Sequence, residues 1–425
     1  MEVQIISKKL IKPSVPTPSH LRNMSLSLMD IRFPPRTIPF IFYYQTHGNC
    51  HPNSIEHVER LKRLEKSLSE ILTLYYPLAG RYVEEKLSID CNDEGVEYAE
   101  ALVNGNLSQI LQGQFEIKDL NSFVPDHVEE SATSPQLAIQ INIFSCGGIA
   151  IGLRSSHRII DAFTSSLFTN GWAKACKVGN INDVIVPNFE AGILFPPTDT
   201  PVIKLPSLSK TTSQVVSKRF VLNANTLSKL KAQVTSSYGG DHLMHKTSTT
   251  EVVTALIWRA QINAARARYG FLRTSLLSMA INLRGKTFKK VPDNCCGNIF
   301  TVGTARFQAD ETKMGSLNGF ADQVRDAIRN TIAEFEKQKE DEDGFFSKLI
   351  MKPCIEIAEE PAWVSLAHRP HKSVMLVDTK AGDGIEAWVI MDKEEMAYFQ
   401  NDPDITMLLK DGGHGIPGNS NLNAA

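Results

Sequence analysis

Residues 137–162 read LAIQINIFSCGGIAIGLRSSHRIIDA, and the fold turns on this stretch. Two apolar strands are predicted, Leu137–Phe144 and Ile149–Leu153, joined at Cys146-Gly147-Gly148. In the first, Ala138, Gln140 and Asn142 alternate with Ile139, Ile141 and Ile143. A helical pattern follows from about Ala162 to Cys176. His157 therefore stands at a strand-to-helix junction, where the backbone fixes a side chain while one end stays open. Histidine has an ordinary pKa near 6.5, so it can take a proton at neutral pH. The spacing H-x-x-x-D to Asp161 carries little by itself. Eleven histidines, with Asp at roughly one residue in twenty, give about half a match by chance. On the residues alone, His157 also reads as a buried histidine ahead of a helix capped by Asp161.

Outward from this stretch, a helix is predicted where Val58, Leu61, Leu64, Leu68, Ile71, Leu72 and Tyr75 recur at three- and four-residue steps. Asn53 or Ser54 caps it, and Pro77 and Gly80 stop it. Ser14–Pro39 is rich in Ser and Pro and reads as extended chain and turns. Shorter strands are expected at Leu87–Cys91 and Val96–Val103. Residues 177–215 are dense in Pro, Ser and Thr and are read as a crossover linker, with an N-terminal domain over residues 1–176 and a C-terminal domain over 216–425. In that second half, Ser248-Thr249-Thr250-Glu251 is a capping box opening a helix that Gly270 ends. Phe320, Val324, Ile328, Ile332 and Phe335 mark another helix, and strands are expected at Lys218–Leu222, Ser373–Asp378 and Ile385–Met391. Strands and helices in both halves predict an α/β fold.

At 425 residues, 42% hydrophobic and 22% charged, with a net charge of -2, the chain has the composition of a globular protein and none of a disordered one. The charge balance gives no reason to expect nucleic-acid or membrane binding. The longest apolar stretch, Ile139–Leu153, is interrupted by Gln140, Asn142 and Ser145 and falls short of the ~20 residues of a spanning helix. The seven cysteines show no C-x-x-C spacing, so neither a disulfide framework nor a zinc site is expected. His242 and His245 lack a carboxylate cluster, and no metal is implied. No G-x-S-x-G, Walker A, H-E-x-x-H or G-x-G-x-x-G motif is present. A cytoplasmic location is the default.

Several short pieces, in order, give His157 more weight. They are Tyr76-Pro77-Leu78-Ala79-Gly80-Arg81, Asp90-Cys91-Asn92-Asp93-Glu94-Gly95, Cys146-Gly147-Gly148, His157-Arg158-Ile159-Ile160-Asp161-Ala162, Asn282-Leu283-Arg284, Gly297-Asn298 and the run from Asp378 to Trp388. In this order they resemble the plant BAHD acyltransferases, and most of all the alkaloid-acetylating branch. The resemblance implies two chloramphenicol-acetyltransferase-like domains with mixed sheets and a channel at their interface. It implies a monomer that transfers an acyl group, acetyl above all, from acetyl-CoA to a small-molecule alcohol. His157 would be the catalytic base, with Asp161 structural and paired to Arg284. The donor would approach Lys246, Ser248 and Thr249 at a helix start suited to phosphate, with Asn298 and Thr379 as further contacts. Many relatives carry an arginine where this chain has Thr249.

One family signature, D-F-G-W-G, is absent. Pro361-Ala362-Trp363-Val364-Ser365 matches the strand expected after it, but the preceding residues read as an internal loss of about twenty. A lost central strand would expose an edge of the second domain. Three alternatives follow for the chain. It is a divergent enzyme, a splice or gene-model variant, or an inactive paralogue that binds a small molecule.

Overall fold

The hairpin predicted around Gly147 forms the middle of a six-stranded sheet. In the computed structural model, Leu137–Phe144 pairs antiparallel with Ile149–Ser156. The second strand continues past the predicted end at Leu153 and delivers Ser155 and Ser156 to the junction. Across the sheet the order is Glu2–Ile11, Val96–Asn104, Leu137–Phe144, Ile149–Ser156, Thr37–Tyr44 and Trp363–Leu366. Val96–Asn104 and Leu137–Phe144 run parallel, and the other pairs are antiparallel, so the sheet is mixed. The structure describes residues 1–31, 37–45, 54–112, 117–126, 133–197, 215–236, 247–287, 291–309, 314–337, 363–366, 372–379 and 382–410.

Leu137–Phe144 is buried along nearly all its length, so its polar half needs partners. Asn142 Nδ2 donates to the carbonyls of Phe123 at 2.8 Å and Ala150 at 3.0 Å. Gln140 Nε2 donates to Ser122 O at 2.8 Å and to Asn142 Oδ1 at 2.7 Å. The alternation read in the sequence thus sets one apolar row and one row bonded to residues 122–123. Gly152, paired with Gln140, makes this approach possible: a Cβ there would lie 1.9 Å from Phe123 O.

The helix Ile55–Leu74 starts at Ser54, whose hydroxyl accepts from His57 N at 3.2 Å. It buries Leu68, Ile71 and Leu72 and packs on the helix Ala162–Val178. Trp172 Nε1 donates to Ser67 Oγ at 3.1 Å across that contact, and Tyr75 meets Phe168 edge-on at 5.3 Å. The second helix begins where the central strand ends, which fixes the junction from both sides.

The chain divides into two compact units. One comprises residues 1–207, 289–299 and 354–368, the other residues 208–288, 300–353 and 369–425. The first crossing falls inside the expected linker of 177–215. The second unit is not the continuous 216–425, because two later segments return to the first. The described part of the linker also packs in the first unit, where Val184, Ala191 and Phe195 are buried and Asn188 bridges Cys295.

In the second unit, Ile385–Asp392 lies between Ser373–Asp378 and Val215–Leu222 in an antiparallel sheet. Ser275–Asn282 and Phe300–Phe307 form a separate pair that the sequence reading did not foresee. The helix Thr249–Tyr269 opens on the predicted capping box, with Ser248 N on Glu251 Oε2 at 2.7 Å and Glu251 N on Ser248 Oγ at 3.2 Å. Its Trp258 meets Phe320 of the helix Leu317–Lys337 edge-on at 5.0 Å, in the core of this unit. Among the described residues no helix is long and apolar enough to cross a membrane. The segment expected to carry the lost signature, up to Ala362, lies outside the described residues, while Trp363–Leu366 pairs with Phe40–Tyr43.

Candidate active site

His157 is the first residue after the strand Ile149–Ser156, and Asp161 caps the helix Ala162–Val178. Both are buried, at 8% and 4% exposure. The Asp161 carboxylate accepts from Thr164 N at 2.8 Å through Oδ1, which closes the first helical turn. Its Oδ2 accepts from Ile299 N at 3.2 Å. The cap role read from the sequence is therefore correct, and it is not the whole role: the same carboxylate ties the helix start to the segment around 297–299. Thr164 adds a second tie, donating from Oγ1 to Gly297 O at 3.3 Å and accepting from Gly297 N at 3.1 Å. Gly297 has φ +125, a conformation closed to most side chains. The bend it permits brings Asn298 to face His157.

Asn298 is fully buried. Its Oδ1 lies 3.0 Å from His157 Nδ1, and its Nδ2 donates to His157 O at 2.7 Å and to Asp30 Oδ1 at 2.9 Å. These contacts decide the protonation of the imidazole. The carbonyl of His157 can only accept, so the amide edge facing it must be the NH2. The opposite edge is then a carbonyl oxygen, which accepts only. Nδ1 must carry the hydrogen, and in the neutral ring the basic nitrogen is Nε2. The tautomer follows from two acceptor-only groups and does not depend on the charge of Asp30.

Asp30, in the single turn Leu28–Ile31, was not among the residues singled out from the sequence. Its Oδ1 also accepts from Asn298 N at 2.8 Å, and its Oδ2 accepts from Ser27 N at 2.9 Å and Ser27 Oγ at 2.5 Å. Burial pushes its carboxyl above the usual carboxylate range, against the opposing pull of these donors. The signal was available in the sequence: one carboxylate in Leu28-Met29-Asp30-Ile31, among apolar neighbours that hide it from water.

Asn298, expected at the donor, is committed by its amide to His157 and Asp30 and stands behind the histidine in the hydrogen-bond network. Arg284 belongs to the second unit and is buried, with its N and Nη1 on Asn282 Oδ1 at 3.1 and 3.2 Å. Ser248 is the helix cap described above, and Thr249 is the first helical residue. Beside them, Arg325 donates to Thr247 Oγ1 and pairs with Asp322 at 2.8 Å. Thr379 closes the turn between Ser373–Asp378 and Ile385–Asp392, donating to Asp383 Oδ1 at 3.0 Å and accepting from Gly384 N at 2.9 Å. Lys246 lies outside the described residues. Cys295 and Cys296 are buried in the first unit. Arg158 stacks on Tyr82 at 4.0 Å. An apolar pocket adjoins the junction, lined by Phe40, Phe42, Leu153, Ile160, Ala162 and Phe168 among others.

Known proteins resemble the chain over most of its length. The Transferase family model matches residues 1–356. Acetyl-CoA-benzylalcohol acetyltransferase from Clarkia breweri is 34% identical over 433 residues, covering 94% of this chain and 98% of that protein. Vinorine synthase from Rauvolfia serpentina is 31% identical over 429 residues, covering 94% and 96%. The crystal structure of vinorine synthase superposes with a TM-score of 0.74 at 29% identity over 93% of this chain and 96% of that one. The fold is thus the mixed α/β arrangement of two chloramphenicol-acetyltransferase-like domains. By the extent of these matches, the chain belongs to the BAHD acyltransferase family of transferases.

Proposed function

We propose that this chain transfers an acyl group, acetyl in the first instance, from an acyl-CoA thioester to the hydroxyl of a small-molecule alcohol, with an alkaloid alcohol as the first acceptor to test. The observation that supports this reading is the contact of His157 Nδ1 with Asn298 Oδ1 at 3.0 Å, which assigns the hydrogen to Nδ1 and makes Nε2 the base. In the reaction, Nε2 takes the hydroxyl proton while the acceptor oxygen bonds to the thioester carbonyl carbon. The resulting tetrahedral oxyanion collapses, the C–S bond breaks, and Nε2–H returns its proton to the leaving thiolate. The products are an ester and free CoA. The imidazolium formed midway is stabilised by the Asn298 oxygen at Nδ1.

Asp161 holds the helix start and the 297–299 segment in register, and Arg284 is read as its partner in support of the motif. Lys246, Ser248, Thr249 and Thr379 are read as donor contacts, the first three around a helix start where backbone N–H groups favour phosphate. The identities with acetyltransferases that act on benzyl alcohol and, in Catharanthus roseus, on stemmadenine support acetyl as the group and a small alcohol as the acceptor. The chain is read as a cytoplasmic monomer, as its resemblance to the family implies.

The test is acetyl transfer by the purified chain with a panel of alcohols, comparing wild type with His157→Ala and His157→Gln. General-base removal costs about 10²–10⁴-fold in rate. A loss of that size with unchanged donor binding supports the reading. Turnover retained in His157→Ala overturns it.

A further inference from the structure

Asp30 sits two residues beyond the histidine in the buried network, at the far side of Asn298. We propose that Asp30 is a positioning residue for acyl transfer: anchored by Ser27, its carboxylate holds Asn298, and Asn298 holds the ring of His157 in its Nδ1–H form. The inference rests on His157 being the base, and its test separates the two.

The arrangement is directional. Ser27 N and Oγ meet Asp30 Oδ2, and Asn298 N and Nδ2 meet Oδ1, so each oxygen serves one neighbour. Asp30 and Asn298 are 268 positions apart in sequence, so no local backbone constraint sets their separation. Ser27 and Asn298 are fully buried and Asp30 is 3% exposed. A carboxylate in such a place is costly unless fully bonded, and an apolar side chain of similar size would staple the same segments at less cost. What an apolar residue lacks is an acceptor for both Asn298 N and Asn298 Nδ2. Those two bonds fix the backbone and the amide plane of Asn298 together. Without them the amide keeps only the His157 carbonyl as a fixed acceptor and turns about that bond. The oxygen that holds Nδ1–H then swings away, and the ring is free to rotate or to exchange tautomers.

Asp30→Asn keeps the size of the side chain but presents an NH2 to one of its two donor pairs, Ser27 or Asn298. If Asp30 positions His157, kcat falls about tenfold to a hundredfold while KM for acetyl-CoA and for the acceptor stays near wild type. The double variant Asp30→Asn/Asn298→Ala is then no slower than Asn298→Ala alone, because both act through one amide. Ser27→Ala, which removes one donor of four, gives a smaller loss in kcat and guards against a misfolded Asp30 variant. The resting tautomer is read independently by nitrogen NMR of histidine-labelled protein, with the His157 signal assigned from His157→Gln. Nδ1–H in wild type and a mixture in Asp30→Asn supports the proposal even if no acceptor yet turns over. Retained turnover in His157→Ala together with that tautomer shift would overturn the base assignment and leave the positioning of the ring standing. An unchanged tautomer in Asp30→Asn, a wild-type kcat, or additive losses in the double variant each overturn it.

Discussion

The Asp161 carboxylate has two jobs, and two substitutions separate them. Asp161→Ala removes the acceptor for Thr164 N at 2.8 Å and for Ile299 N at 3.2 Å. Loss of an N-cap costs about 0.5–2 kcal/mol. Ile299 is fully buried, and its N–H keeps Gly297 O at 3.1 Å as a second acceptor, so losing the Asp161 bond costs at most about 1–3 kcal/mol, the cost of an unsatisfied buried N–H. The sum is at most about 5 kcal/mol. Asp161→Asn keeps the cap, since Asn caps helices as well as Asp. Its second atom is now an NH2 facing the Ile299 N–H, donor against donor, so only the second cost, at most about 1–3 kcal/mol, remains. Ile299 follows Asn298, so both variants also loosen the residue that orients His157. Equilibrium denaturation gives the stabilities, and acetyl transfer by the folded fraction gives kcat. The expected order is wild type, then Asp161→Asn, then Asp161→Ala in stability, with kcat lowered in both variants. If Asp161→Asn matches wild type in stability and in kcat, the Ile299 contact contributes nothing and the reasoning fails.

Two further outcomes follow from the first unit. Gly152→Ala places a methyl where the Phe123 carbonyl already lies, at 1.9 Å, and a backbone atom cannot step aside as a flexible side chain does. A loss of about 1–3 kcal/mol or more in denaturation is expected, and a wild-type midpoint would show that residues 122–123 shift freely. His57, buried at the start of the helix Ile55–Leu74, has its pKa lowered by burial and by Arg60. The folded state therefore resists a proton that the unfolded chain binds near pH 6.5. Stability should fall as pH drops from about 7 through that value, and level off once the folded ring also protonates. His57→Gln should flatten melting temperatures measured between pH 7.5 and 5; an unchanged slope would place the titrating group elsewhere.

Local signals read well and distant ones did not. The capping box at Ser248–Glu251 and the Ser54 start of Ile55–Leu74 were legible because a few adjacent residues satisfy their own backbone groups. The hairpin was legible because its turn and its alternation sit side by side. Thr37–Tyr44 was not, since its start, through Pro39, fell in a Ser- and Pro-rich stretch read as extended chain and turns. In the sheet Pro39 pairs with Arg154, and among the described residues the ladder on the strand's other side runs from Tyr43 with Trp363 to Phe40 with Leu366. The missing donor therefore costs no bond to Trp363–Leu366. Such a placement depends on a strand more than three hundred residues away, which no window on the sequence contains.

The same limit shaped the reading of the site. His157 and Asp161 were found because one strand end and one helix start hold them. Asn298 was singled out for a different role, and Asp30 passed unnoticed, because each takes its function from a partner far along the chain. The chemistry of those partners settles more than their proximity does. A carbonyl oxygen can only accept, so the amide has one orientation; given that orientation, the ring has one neutral tautomer; given that tautomer, the base is Nε2. Every step depends on the type of atom in contact, and distances enter only to establish that the contacts exist. Asn298→Asp, which preserves the shape but sets an acceptor against the His157 carbonyl and Asp30 where the NH2 stood, should therefore lower kcat more than a substitution that shortens a side chain elsewhere in the pocket.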